Sequence, residues 1–209
     1  MSASFTLAED PLLHLSQVAG LTAYVLLWLN VCIGLALKTN LPLPLLNRWR
    51  VTDLHQFTAL LSLAFLGLHI AALVQLKQQP FSVAELAVPL LRSVPASLGI
   101  VALYLIIVVI ATSYLRRHLS VLVWRTVHGL SLVAYGLGVA HALLAGPDGD
   151  TAWAPFMYWT TNSVLVALVA RRIWVSRRVR LDSRRGVAAH PHMPAEAGSG
   201  ATQPGLNRG

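Results

Sequence analysis

The sequence predicts an all-α integral membrane protein built as a five-helix transmembrane bundle. Three observations predict it. The 209 residues are 56% hydrophobic and only 11% charged. The apolar residues gather into five blocks near the roughly 20 residues that a helix needs to cross a bilayer core. The charges fall almost wholly between those blocks, as expected where a charge inside hydrocarbon is costly.

Taken in order, residues 1–14 form an outer N-terminal segment. It has no Lys or Arg, only Glu9 and Asp10, so the apolar block that follows is expected to be retained rather than cleaved as a signal peptide. The spans are expected at about 15–37, 54–76, 97–115, 126–145 and 153–170, within a transmembrane domain of residues 15–174. Residues 81–95, broken by Pro89 and Pro95, are too short to span and are expected to lie at the interface. The stretch 175–209, rich in Arg, Gly, Ala, Pro and Ser, reads as a disordered basic cytoplasmic tail.

Orientation follows from the basic residues. Lys38, Arg48 and Arg50 sit in the first loop, Arg116, Arg117 and Arg125 in the third, and eight arginines beyond the last span. Fourteen of the sixteen thus share one side against Lys77 and Arg92 on the other, which predicts a multi-pass protein of the plasma (inner) membrane, N-terminus outside and C-terminus in the cytoplasm. Trp49, Trp124 and Trp174 are expected at the inner interface and Trp153 and Trp159 at the outer one. The net charge of +8 then reflects topology and contact with anionic lipid, not nucleic acid. Cys32, the only cysteine, lies mid-span and reads as a small buried hydrophobe.

Against this background four of the eight histidines stand out. His55 and His69 lie on the second span, 14 residues apart; His128 and His141 lie on the fourth, 13 apart. At 1.5 Å per residue these intervals are about 21 Å and about 19.5 Å along the axis. One helix separates the two spans, so they run the same way, with His55 level with His128 and His69 level with His141. A lone histidine in a membrane helix is more often a structural residue or a proton relay than a ligand. Four matched in depth fit another chemistry: facing imidazoles can occupy both axial positions of a haem iron. The expectation is two stacked haem sites between the second and fourth helices, suited to outer-sphere electron transfer because no axial position is left open. One feature opposes it. Thirteen residues on a straight helix leave His128 and His141 about 140° apart, against about 40° for the other pair. Gly129, Gly136 and Gly138 offer places for a distortion or a close approach.

With these histidines, and with ALYLIIVVIATSYLRR (Ala102 to Arg117) and WRTVHGLSLVAYGLGVAHALLAG (Trp124 to Gly146) around them, the chain resembles the ferric reductase-like transmembrane domain. That domain is the haem-bearing core of ferric reductases, NADPH oxidases and the haem subunit of a bacterial methionine sulfoxide reductase system. The resemblance runs from about Leu15 to Arg172. It implies two b-type haems, His55 with His128 holding the inner one and His69 with His141 the outer, and the family accepts the unequal spacing. The resemblance departs in one respect: the roughly 35 residues after the last span hold no Gly-rich dinucleotide loop. The expectation is an electron-transfer subunit of a reductase system, fed by a separate flavoprotein, by bound FMN or by quinol, and delivering to an extracytoplasmic acceptor.

Arg92 is a candidate partner for outer haem propionates, and Arg125, with Arg48, Arg50, Arg116 and Arg117, for inner propionates or a flavin phosphate; the inner arginines serve equally as topology and lipid contacts. A quinol-oxidising cytochrome b-type bundle is an alternative, although that family's quinone motifs are not evident. A histidine-based metal or proton transporter is another, and it would require acidic partners inside the spans, whereas all eight Asp and Glu lie at or beyond the span ends. Glu85, Asp148 and Asp150 read as loop carboxylates, with a turn at residues 146–149. His14, His118, His190 and His192 carry no assigned role.

Overall fold

A computed structural model describes residues 11–39, 47–76, 81–146 and 153–189. Outside these lie Glu9 and Asp10, Lys77, the turn residues Asp148 and Asp150, His190, His192 and the end of the tail. The described residues are all-helical: α1 (Pro11–Lys38), α2 (Arg48–Val74), α3 (Val83–Ala87), α4 (Val94–Tyr114) with a 3₁₀ turn to His118, α5 (Val121–Gly129), α6 (Ser131–Ala145) and α7 (Trp153–Ala189). Residues up to Arg172 form one compact unit and those from Ile173 a second.

Among the described residues four stretches are long and apolar enough to cross a membrane: Pro11–Lys38, Arg48–Val74, Val94–His118 and Val121–Ala145. At 28 and 27 residues, α1 and α2 are about 42 Å and about 40 Å long, more than the roughly 30 Å of a hydrocarbon core. The first part of α7 corresponds to the fifth expected span but is not among the four. Thr160, Thr161 and Asn162 in its middle lower its hydropathy. Its second part departs from the expected disorder. Residues 175–189 are helical, because Arg, Val and Leu extend a helix that is already nucleated far more readily than they begin one.

Lipid offers no hydrophobic drive between helices, so close packing of small residues must supply the contact. The buried positions of α1 include Ser16, Ala19 and Ala23, those of α2 Thr58, Ser62 and Ala72, and those of α4 Ala96, Ser97 and Ala102. α1 packs most extensively on α2, and α4 on α6, so the bundle is two antiparallel hairpins set side by side. A polar cluster fastens α7 to them. The Tyr24 hydroxyl lies 2.5 Å from Thr161 Oγ1 and 3.4 Å from the Tyr135 hydroxyl, and the Trp28 indole N–H donates to the Thr161 carbonyl at 2.9 Å. Phe57, Leu60 and Val133 stay exposed, as side chains facing lipid should.

The fourth span is not one straight rod. α5 stops at Gly129, and Leu130 donates its N–H to the Val127 carbonyl at 3.0 Å, three residues back, before α6 begins. Glycine is a weak helix former and marks the place where the ladder yields. Gly129 thus supplies the expected distortion.

At the opposite end α3 forms a lip over α4. Ser82 and Glu85 make a reciprocal cap, the Ser82 N–H donating to Glu85 Oε2 at 2.8 Å and the Glu85 N–H to Ser82 Oγ at 3.1 Å. The Tyr104 hydroxyl donates to the carbonyls of Leu86 and Ala87 at 2.5 and 3.1 Å, pinning the lip down. Leu90 turns the chain with a left-handed φ of 75°, held by its N–H to Ser97 Oγ at 2.8 Å. The Ser82 backbone N–H, helped by the Ser82 hydroxyl and by Arg92, holds the Glu85 carboxyl below its ordinary 4.5. A depressed folded value means that the cap's contribution is complete above the ordinary value and is lost as pH falls through the folded one. The hydrogen-exchange protection factors of residues 82–87, which are corrected for the intrinsic pH dependence of exchange, are therefore expected to be flat from neutral pH to about pH 5 and to fall only in stronger acid, and Glu85→Gln should remove that fall.

Candidate functional site

The two hairpins bring the four span histidines together in two facing pairs. The His55 and His128 ring centroids lie 6.1 Å apart with planes crossed at 67°; those of His69 and His141 lie 6.4 Å apart at 76°. The expected pairing by depth is the pairing observed. The break at Leu130 removes the objection raised by the 13-residue interval, since both members of the fourth span reach their partners at nearly equal distance.

Each histidine is gripped from behind. The His55 Nδ1–H donates to the Asn30 carbonyl at 3.1 Å, His69 to the Ser16 carbonyl at 2.8 Å and His141 to the Pro95 carbonyl at 2.8 Å. A carbonyl only accepts, so the proton sits on Nδ1 and Nε2 keeps its lone pair unprotonated. His128 differs: its Nδ1 meets the Ser113 hydroxyl at 3.3 Å.

The grip depends on residues that the histidine pattern alone does not show. A Cβ on Gly20 would lie 2.9 Å from His69 Nδ1, one on Gly34 3.2 Å from His55 Cε1, and one on Gly99 2.9 Å from His141 Nδ1. Each glycine stands four residues after the carbonyl that its histidine binds, so the missing side chain is what lets the imidazole reach the helix backbone. Gly20 and Gly34 are 14 residues apart, matching His69 and His55 on the antiparallel neighbour. That matched interval was the available signal. Gly129, Gly136 and Gly138, the glycines that the sequence singles out, make no such contact: a Cβ there meets no protein atom within 4 Å.

The arginines divide differently from expectation. Arg92 pairs with Glu85 at 3.5 Å and lies 4.1 Å over the Phe81 ring. Arg116 lies 4.4 Å over Trp124, and Trp124 in turn stacks on His128 at 5.2 Å and 25°. Trp124, expected at the inner interface, is thus turned onto a histidine, and among the described residues its buried indole nitrogen has no hydrogen-bond partner. Arg125 is exposed at the basic end, near Lys38 and Arg172. Arg171 donates to Thr39 Oγ1 at 3.4 Å, and His118 Nε2 accepts from Arg117 at 2.9 Å.

The pairs fit a haem on three counts. Two metal–imidazole bonds of about 2.0–2.1 Å on opposite sides of one ion put the ring centroids roughly 6.3 Å apart, close to both observed separations. Among the described residues no group of three or more His, Cys, Asp or Glu gathers, so a bare ion would lack its usual four protein ligands, whereas a porphyrin brings its own equatorial four. The histidine-bearing stretches are also the least covered by protein: 17% and 11% of their apolar windows are buried, against 28% for each of the other two.

Fold and site together define a helical membrane protein organised around two tiers of facing histidines. The chain belongs to the family described as ferric reductase like transmembrane component, whose sequence model matches residues 19–139. Three of the four histidines fall within that match, and His141 lies two residues past it. No curated protein and no solved structure matches the chain. Family membership makes it a membrane electron-transfer component of a kind that generally binds haem.

Proposed function

We propose that the chain is a di-haem b-type cytochrome that carries electrons across the membrane as the haem subunit of a reductase system. The observation that carries this reading is the double tier of facing imidazoles, each with its Nδ1 engaged from behind. His55 and His128 would hold one haem, and His69 and His141 the other. When bound, the haems supply two one-electron couples with no open axial position. The protein's own residues fix the imidazole tautomers, keep two tiers at different depths and enclose them in apolar helices.

The wider assembly belongs to the same proposal. The first part of α7 is the fifth span, since Trp28, Tyr24 and Tyr135 bind it along its polar stripe. The excess of basic residues at one end sets that end in the cytoplasm and the N-terminus outside, in the plasma (inner) membrane. A separate flavoprotein or quinol supplies electrons there, FMN or quinone being the further cofactor, and an acceptor outside takes them. The basic cytoplasmic end, with Arg125, Arg48 and Arg50, suits anionic groups of a cofactor or of lipid.

Purified protein expressed with ample iron and porphyrin is expected to carry about two haems per chain and to show the split low-spin bands of a reduced b-type cytochrome. The crossed ring planes further predict a strongly anisotropic ferric resonance signal. Colourless protein would end the proposal.

A further inference from the structure

The four histidine seats follow one repeat with a single departure. Three pair a backbone carbonyl with a glycine four residues on: Ser16 with Gly20, Asn30 with Gly34, and Pro95 with Gly99. On α1 the second seat follows the first by 14 residues. The same step on α4, from Pro95 and Gly99, lands on Val109 and Ser113. Ser113 therefore occupies the position that glycine holds in the other three seats.

The serine changes the bond rather than abolishing it. Its hydroxyl donates to the Val109 carbonyl at 2.7 Å, the very carbonyl that the repeat would offer to the histidine. A hydroxyl has one proton to give. With that proton on Val109, Ser113 Oγ is left as the acceptor of the His128 Nδ1–H at 3.3 Å. The other three histidines donate straight to a carbonyl at 2.8 to 3.1 Å, and although His69 Nδ1 also has the Ser16 hydroxyl at 3.0 Å, it keeps its carbonyl at 2.8 Å.

We propose that Ser113 is a positioning residue that weakens one axial ligand: by standing between His128 and the Val109 carbonyl, it raises the reduction potential of the His55/His128 tier. The inference rests on the haem reading above. A strong hydrogen bond from Nδ1–H makes the imidazole a better electron donor, which favours the ferric ion. A longer bond to a hydroxyl donates less, so the ferrous ion gains by comparison. The Arg116 guanidinium stacked on Trp124, which itself stacks on His128, acts in the same direction, since a nearby cation disfavours the additional positive charge of ferric iron. The tier nearest the basic end is in this way tuned apart from its twin by one side chain.

The test is redox titration of full-length, haem-loaded protein bearing Ser113→Gly, Ser113→Ala or Ser113→Thr, followed optically and by ferric resonance. Ser113→Gly removes the shorter of two hydroxyl contacts on the Val109 carbonyl, Thr112 Oγ1 staying at 3.2 Å with its shorter bond to Val108, and so opens that carbonyl to His128; it should lower the potential of one haem only, the reduced-to-oxidised ratio at fixed poise falling about tenfold, or ~59 mV for a one-electron couple. Ser113→Ala removes the acceptor while its Cβ still obstructs the carbonyl, and should move the same haem several-fold the other way. Ser113→Thr keeps the hydroxyl and should titrate as the unaltered protein. A purely structural role predicts no such opposite signs. Two bound haems with unmoved potentials in the Gly and Ala variants, or shifts of the same sign in both, would overturn the proposal while leaving the haem reading intact. Colourless unaltered protein would remove both. If the Gly variant loses its haem, the Ala variant still decides, an unmoved or lowered potential counting against the proposal.

Discussion

His141→Ala is expected to lose one of two haems and keep the other, halving the haem content of purified protein. The separation of the tiers is the reason. His69 and His141 face each other 6.4 Å apart, while His55 and His128 form their own pair at 6.1 Å, 14 and 13 residues along the same helices. Removing one axial imidazole leaves its partner with half a site, and nothing at the other depth changes. His69→Ala should give the same loss, and the double variant no more than either single one, since in the proposed reading both residues would hold the same haem. His55→Ala and His128→Ala should remove the complementary haem. Haem per chain, with separate redox titration of what remains, reads each case. Loss of both haems from His141→Ala in protein that still folds would mean that the tiers are not independent.

Gly99→Val and Gly20→Val are expected to have the next largest effect, although neither residue carries any chemistry. A Cβ at either position falls 2.9 Å from a histidine Nδ1, closer than carbon and nitrogen tolerate, so the imidazole must leave its carbonyl. The cost has two parts. Overpacking a close helix contact costs about 1–3 kcal/mol, and loss of the bond behind a ligand typically weakens metal binding about 10–100-fold. Both variants should release the His69/His141 haem first, under increasing detergent or competition with apomyoglobin. Gly34→Val, whose Cβ would lie 3.2 Å from His55 Cε1, should be milder and should act on the other haem. Equal retention of both haems in Gly99→Val would show that the carbonyl seat is dispensable.

Much of this was legible in residue order. Apolar blocks must be helices where no water is present to satisfy the backbone, and the histidine intervals fix depth because the helical rise is constant. Other features were not. The straight-helix argument set His128 and His141 on different faces, because an interval cannot report that the ladder breaks at Leu130. Attention to Gly129, Gly136 and Gly138, which lie beside the histidines in sequence, passed over Gly20, Gly34 and Gly99, which lie beside them in space. Arg92 stood out in the sequence as one of two cations on its side, and only the structure sets it against Glu85 seven residues back and over the Phe81 ring. Trp124 read as an interfacial belt residue, yet it stacks on His128.

By itself, then, the sequence determined that the chain lives in a membrane, where four of its crossing helices lie, and that its histidines stand at two depths in matched pairs. Those properties follow from composition and from distance along a helix axis, which accumulate residue by residue. Tertiary structure alone decided what stands behind each imidazole: a backbone carbonyl for three of them, joined at His69 by the Ser16 hydroxyl, and a serine hydroxyl without the carbonyl for the fourth. That choice depends on which faces of α1 and α4 turn toward α2 and toward α5 and α6, and the rotation of one helix against another is set by packing between segments far apart in the chain.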